Sequence, residues 1–156
     1  MKVTIRKAIP DDADQVAQLW QELLRYHLQY SPCFEISDRA AIDFSDHLRK
    51  LPNEPSDLLL LAESNGYVVG FLHGSILKRP PCFVIPQQGQ IWDLFVSEPF
   101  RRQGVARELV DRALEFFREK GMKFVDVRIT TQNNTALAFW KKMGIDPYIT
   151  VGKLEP

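Results

Sequence analysis

The sequence predicts an α/β protein of the mixed α+β kind, with all 156 residues in a single domain (residues 1–156). Three observations carry this. Apolar residues recur at helical spacing in four separate stretches, and short β-favouring runs lie between them. Ser64-Asn65-Gly66 between two apolar runs is a hairpin signal. The apolar run Ile91-Trp92-Asp93-Leu94-Phe95-Val96 passes through Ser97-Glu98-Pro99-Phe100 directly into an amphipathic helix, so a strand, a turn and a helix follow one another without a linker.

In chain order, Val3 and Ile5 alternate with polar neighbours and predict a half-buried strand. Pro10-Asp11-Asp12 opens a helix carrying Val16, Leu19, Trp20, Leu23, Leu24, His27 and Leu28, which Ser31-Pro32 ends. A second helix is expected over 38–50, with Ala41, Phe44 and Leu48 on one face. The leucine run within 57–62 reads as a buried strand, and 67–77 as its hairpin partner. Residues 78–90 read as a long loop, apolar around Pro80–Pro86. After the strand 91–96, a helix over 103–120 turns Val105, Leu109, Ala113, Phe116 and Phe117 inward and stops at Gly121. Val125, Val127 and Ile129 face one side of a strand over 124–129. Asn133 or Asn134 caps a helix ending near Gly144, and 148–151 is a last strand.

Composition excludes several classes. Apolar content is 45% and charged content 26%, ordinary for a globular chain. Twenty Lys and Arg balance twenty Asp and Glu, so no global field points to nucleic acid or a membrane surface. No apolar run reaches the ~20 residues that span a bilayer, and Met1–Arg6 alternates like a strand rather than a leader. Cys33 and Cys82 sit beside prolines in loops and read as free thiols in a reducing cytoplasm. No metal is expected.

The chemistry sits at the start of the third helix. Small residues Gly104 and Ala106 in its first turn leave backbone N–H groups uncovered, and those groups have no intrahelical acceptor. Arg101 and Arg102 place two cations against the positive end of the helix dipole, an arrangement that calls for an anion. Arg101-x-x-Gly104-x-Ala106 resembles the pyrophosphate-binding signature of the GNAT superfamily of acetyl-CoA-dependent N-acetyltransferases. Asn133-Asn134-Thr135-Ala136-Leu137-Ala138-Phe139-Trp140-Lys141-Lys142-Met143-Gly144 is similar to that family's second conserved segment, about thirty residues on.

The resemblance implies a GNAT-like central mixed, mostly antiparallel sheet flanked by about four helices, with the strands from 91 and 124 splayed apart. It implies acetyl-CoA as cosubstrate, contacted by Phe95, Val96, Arg101, Arg102, Gln103, Gly104, Val105, Ala106, Asn133 and Trp140, with the Val96 N–H as an oxyanion-type donor. Asp93 takes the place of the acid that removes a proton from the acceptor amine. Trp140 stands where the family commonly has a tyrosine that protonates the leaving thiolate; indole N–H is no such acid, so Tyr148 on the last strand is the substitute considered. His27 and His73 are assigned to packing, with an acceptor-pocket role as the alternative.

The expected reaction is acetyl transfer to a primary amine of a small molecule or peptide, by direct attack in a ternary complex. The competing reading is a non-catalytic CoA- or acyl-CoA-binding regulatory module. A polyamine acceptor would want carboxylates such as Glu35, Asp38 and Asp43, and a protein acceptor a groove beside the 80–86 loop. That loop and the short last strand also offer faces for a homodimer. A dinucleotide site is excluded because no glycine-rich turn follows the first strand.

Overall fold

The computed structural model describes residues 2–156. It contains five strands and four α-helices: β1 (Thr4–Lys7), α1 (Ala13–Leu28), α2 (Ala40–Leu48), β2 (Asp57–Ser64), β3 (Tyr67–Lys78), β4 (Gln87–Val96), α3 (Val105–Glu119), β5 (Val125–Val127) and α4 (Asn134–Lys142). The strands form one sheet in sequence order, antiparallel throughout except for the parallel pair β4–β5.

The leucine run of β2 shows why the sheet is covered on both faces. Successive side chains of a strand point to opposite sides. Leu59 and Leu61 join Val16, Leu23, Leu48 and Phe71 in a core beneath α1 and α2. Leu58 and Leu60 join Leu72, Ile91, Leu109, Phe117 and Trp140 in a second core beneath α3 and α4. An uninterrupted apolar run is what a strand buried on both faces requires.

One irregularity organises β4. His73 pairs with Asp93 but the next residue, Gly74, pairs with Ile91, so Trp92 is an extra residue in β4, a β-bulge. Because of it Ile91 packs in the α3 core while Phe95 packs in the α1 core; strict alternation would put both on one face. At Gly70 the strands approach so closely that a Cβ would stand 2.8 Å from the Phe95 carbonyl oxygen.

Four expectations are corrected. The segment 148–151 is not a strand: residues 145–156 hold no regular structure, and Ile149 and Val151 are exposed. β5 is only three residues long and bonds to β4 on one side, which leaves too short an edge to order another strand, whatever its β-propensity. The strand expected over 124–129 is cut to Val125–Val127 because β4 diverges at the bulge. The loop expected over 78–90 is shorter, since β4 begins at Gln87; the Arg79 N–H donates to the Pro86 carbonyl at 2.9 Å and closes a hairpin. The turn Pro10–Asp12 is 3-10 rather than α, and α1 starts after it.

Candidate active site

The bulge and the short β5 open the sheet. β4 and β5 pair only from Gly89 to Ile91, so the edge of β4 from Trp92 to Val96 has no strand beside it there, while its other edge stays bonded to β3. The Ser97 N–H donates to Val69 of β3 at 2.9 Å. N–H and C=O groups alternate in direction along a strand, so the main-chain groups of Leu94 and Val96 point to the free edge. The Val96 carbonyl there accepts a 2.7 Å bond from Arg101 Nε. Along this split lies an open groove of about 1320 Å³, reaching from Leu23 and His27 of α1, past Asp93–Val96, to Gly104 and Ala106. Its far wall includes Asn133, Phe139 and Trp140.

The α3 end of the groove is an uncapped helix start. Gly104 has φ 86° and Arg102 φ 58°, a left-handed pair that folds the turn back on itself. A Cβ at Gly104 would meet nothing within 4 Å, so the backbone angle and not crowding is what calls for glycine. Among the described residues the amides from Arg102 to Arg107 have no hydrogen-bond acceptor. No side chain caps α3. Arg101 and Arg102 are exposed beside these amides and line the groove. The Gln103 side chain turns away to the Pro99 carbonyl (2.8 Å), and Val105 is buried in the α3 core, so only their main chains face the turn. Phe95 and Val96 are buried at the sheet. Asn133 accepts from the Ala136 N–H at 3.1 Å and so caps α4 from a buried position.

At the other end stands Asp93, its side chain about one-fifth exposed (19%). His73 Nδ1 lies 3.6 Å from its Oδ2, and the other ring nitrogen of His73 is buried with no partner. His47 of α2 packs edge-on to His73, with centroids 6.2 Å apart. His73 is therefore a packed core histidine that also touches the candidate base. His27 lines the groove, with Nδ1 2.8 Å from the Leu23 carbonyl oxygen. Two residues beside Asp93 were missed by reading the sequence. Trp92 donates from its indole to Ser75 Oγ at 2.6 Å, and the Arg128 guanidinium lies over the Trp92 ring at 5.1 Å. Alternation in the 124–129 run held the signal, since it sets Asp126 and Arg128 opposite Val125 and Val127.

Tyr148 is not brought to this site. It is 66% exposed, and its hydroxyl donates to both carboxylate oxygens of Asp126, at 2.7 and 2.8 Å. That carboxylate raises the phenol above its ordinary pKa. Trp140 is buried and lines the groove where the resemblance put a tyrosine. Glu35, Asp38 and Asp43 do not line the groove, nor does the 80–86 loop, whose Phe83 ring is held 4.0 Å under the Arg79 guanidinium. Among the described residues no three His, Cys, Asp or Glu side chains gather to hold a metal ion, and no helix is long and apolar enough to cross a membrane.

Residues 16–145 match the acetyltransferase (GNAT) family. An uncharacterized N-acetyltransferase of Methanocaldococcus jannaschii is 26% identical over 149 residues, 92% of this chain; the chain spans 60% of that relative's length. A tetramutant protein from Bacillus halodurans has the same fold, with a TM-score of 0.85 at 16% identity over 98% of this chain and 99% of that one. AAC(6')-Iy, solved in complex with the bisubstrate analogue CoA-S-monomethyl-acetylneamine, superposes with a TM-score of 0.75 at 18% identity over 100% of this chain and 99% of that one.

Proposed function

The chain belongs to the GNAT acetyltransferase family, and from that premise we propose that it is an acetyl-CoA-dependent N-acetyltransferase acting as one domain on a primary amine of a small molecule or peptide. The observation that carries the proposal is one groove joining the uncapped amides of Arg102–Arg107 to the Asp93 carboxylate along a free strand edge. The turn fits a pyrophosphate. Its amides have no protein acceptor, the helix dipole adds positive potential, and Arg101 and Arg102 supply charge. Bound there, acetyl-CoA supplies the activated acetyl group.

The residues of the chain do the rest. The main-chain groups of Leu94 and Val96 align the extended arm of the cosubstrate as a strand would. The Val96 N–H meets the carbonyl oxygen on which charge develops; one such donor lowers a barrier by about 3 kcal/mol. Asp93 takes a proton from the acceptor, whose ammonium form (pKa ~10.4 for a lysine-like amine) cannot attack. Both substrates occupy the groove together, so attack is direct and no side chain carries the acetyl group. No tyrosine of this chain stands ready to protonate a departing thiolate: Trp140 cannot donate the proton, and Tyr148 is engaged with Asp126. A thiol with pKa ~8.5 makes this tolerable.

That missing acid is what favours the second reading, a CoA-binding regulatory module without turnover. Asp93→Asn separates the two. The acetyltransferase reading expects transfer to an amine panel to fall at least 100-fold while calorimetric acetyl-CoA affinity stays within a few-fold. Acetyl-CoA binding with no transfer by the wild type would establish the module instead. A homodimer and a cytoplasmic setting belong to the same proposal, supported by the exposed Phe83 and Val84 and by two exposed free cysteines.

A further inference from the structure

Resting on the acetyltransferase reading, the geometry points to the acceptor: a zwitterionic amine of the α-amino-acid type with an apolar or aromatic side chain, its ammonium at Asp93 and its carboxylate at Arg128. The groove's carboxylates are Asp93 and Glu98, and its arginines outnumber them. Arg101 and Arg102 stand at the α3 turn, where the phosphates belong. Arg128 does not. It lies on the residue after β5, across the split from Asp93, and makes no ion pair or hydrogen bond among the described residues.

Sheet parity puts Arg128 where an acceptor would meet it. Val125, Val127 and Ile129 pack in the α3 core, so Asp126 and Arg128 face the other side, the side of α1. The bulge turns Trp92 toward that side, where its indole reaches Ser75. Asp93 is there too, beside His73. Val127 pairs with Ile91, which sets Arg128 level with Trp92 on the neighbouring strand. Adjacent strands are ~4.8 Å apart before they diverge, so a carboxylate and a guanidinium flank one small molecule from two sides. The guanidinium resting over the Trp92 ring is held in place but keeps its N–H fork free for a bidentate carboxylate.

The remaining wall selects the side chain. Leu23, Leu24, Tyr26, His27 and Phe34 line the α1 end of the groove. Leucine and aromatic surface there offers an apolar group a desolvated seat and holds no carboxylate for a second ammonium. The carboxylates that a polycation would need, Glu35, Asp38 and Asp43, lie outside. Polyamines and other polycations therefore meet two carboxylates, Asp93 and Glu98, against a larger number of arginines, a mismatch that works against them.

The test is a matched panel with acetyl-CoA held saturating: phenylalanine, phenethylamine (the same amine and ring without the carboxylate) and spermidine, against wild type, Arg128→Gln and Arg128→Lys. The expected result is a kcat/KM for phenylalanine at least 10-fold above that for phenethylamine, with spermidine lowest. In Arg128→Gln the phenylalanine-to-phenethylamine ratio falls to near 1 through KM, and Arg128→Lys restores part of it. Transfer to phenethylamine or spermidine equal to or better than to phenylalanine, or a ratio unmoved in Arg128→Gln, overturns the inference and leaves the acetyltransferase reading standing. No transfer to any amine, with acetyl-CoA bound, removes both.

Discussion

Single residues set the character of each end of the groove. Gly104 holds φ at 86° in open space, so Gly104→Ala tests conformation alone. A left-handed angle costs a residue with a Cβ roughly 1–2 kcal/mol, and the six-residue run of free amides depends on that angle. Gly104→Ala is expected to weaken acetyl-CoA binding by about 10-fold in a calorimetric titration; unchanged affinity would remove the turn from the cosubstrate site. Tyr148 gives the opposite kind of prediction. The Asp126 carboxylate raises its phenol pKa, so the hydroxyl stays protonated across the neutral range and is a poorer acid than an ordinary tyrosine. Tyr148→Phe should therefore keep kcat within about 2-fold of wild type at pH 7, whereas a true thiolate acid would show a loss nearer 100-fold.

Elements are tied together by one clamp at the sheet edge. Arg6 of β1 donates to both oxygens of Asp12 (2.7 and 2.8 Å) and to Glu63 of β2 (2.6 Å), while Asp12 also accepts the Ile9 N–H at 2.8 Å. It joins two strands to the start of α1, the helix that carries the acceptor end of the groove. The Arg6 hydrogen bonds lower the Asp12 pKa. A lowered folded pKa means the stabilisation is present above the unfolded value of ~3.9 and fades as pH falls through the folded one. Asp12→Asn is expected to lose about 1–3 kcal/mol in urea unfolding at pH 7, discounted because Arg6 is one-third exposed. The difference from wild type should shrink below about pH 4. A difference that stays constant with pH would mean that packing rather than charge holds the clamp.

The strand–turn–helix from β4 to α3 was readable because period, proline and glycine agree locally. The Asn133 cap was readable because an Asx cap is a local device. Gln87–Gln90 read as loop because polar residues hide a strand whose partners are supplied from β3 and β5. Residues 148–151 failed in the other direction: they have strand propensity and no edge to bind. Trp92 was hidden for a third reason: it reaches the Asp93 side through a register shift, which leaves no periodic trace, whereas the alternation of 124–129 did carry the face of Arg128.

Over the whole molecule, two cores share one sheet, and the groove runs between the halves they support. A ligand spanning from α1 to α3 bridges both, so its binding stabilises the entire fold. At 100 times Kd, acetyl-CoA should contribute about 2.7 kcal/mol, raising Tm by about 5–10 °C in a scanning experiment at this chain length. NAD at the same concentration should leave Tm where it is. A shift of equal size from both would show nonspecific anion binding in place of a built site.

One inserted residue interrupts the alternation of β4. With Trp92 in place, β4 changes parity midway: its first half gives Ile91 to the α3 core, and its second gives Asp93 and Phe95 to the α1 side. Delete Trp92 and the ladder would close up: Ile91 opposite Gly74 would be followed directly by Asp93 opposite His73, each on the face it holds now. The bulge therefore leaves the acid in its compartment and adds a second side chain, the Trp92 indole, to the same face. The strand can lose this residue without turning over, whereas a further insertion with no bulge of its own would exchange the faces of the residues that follow.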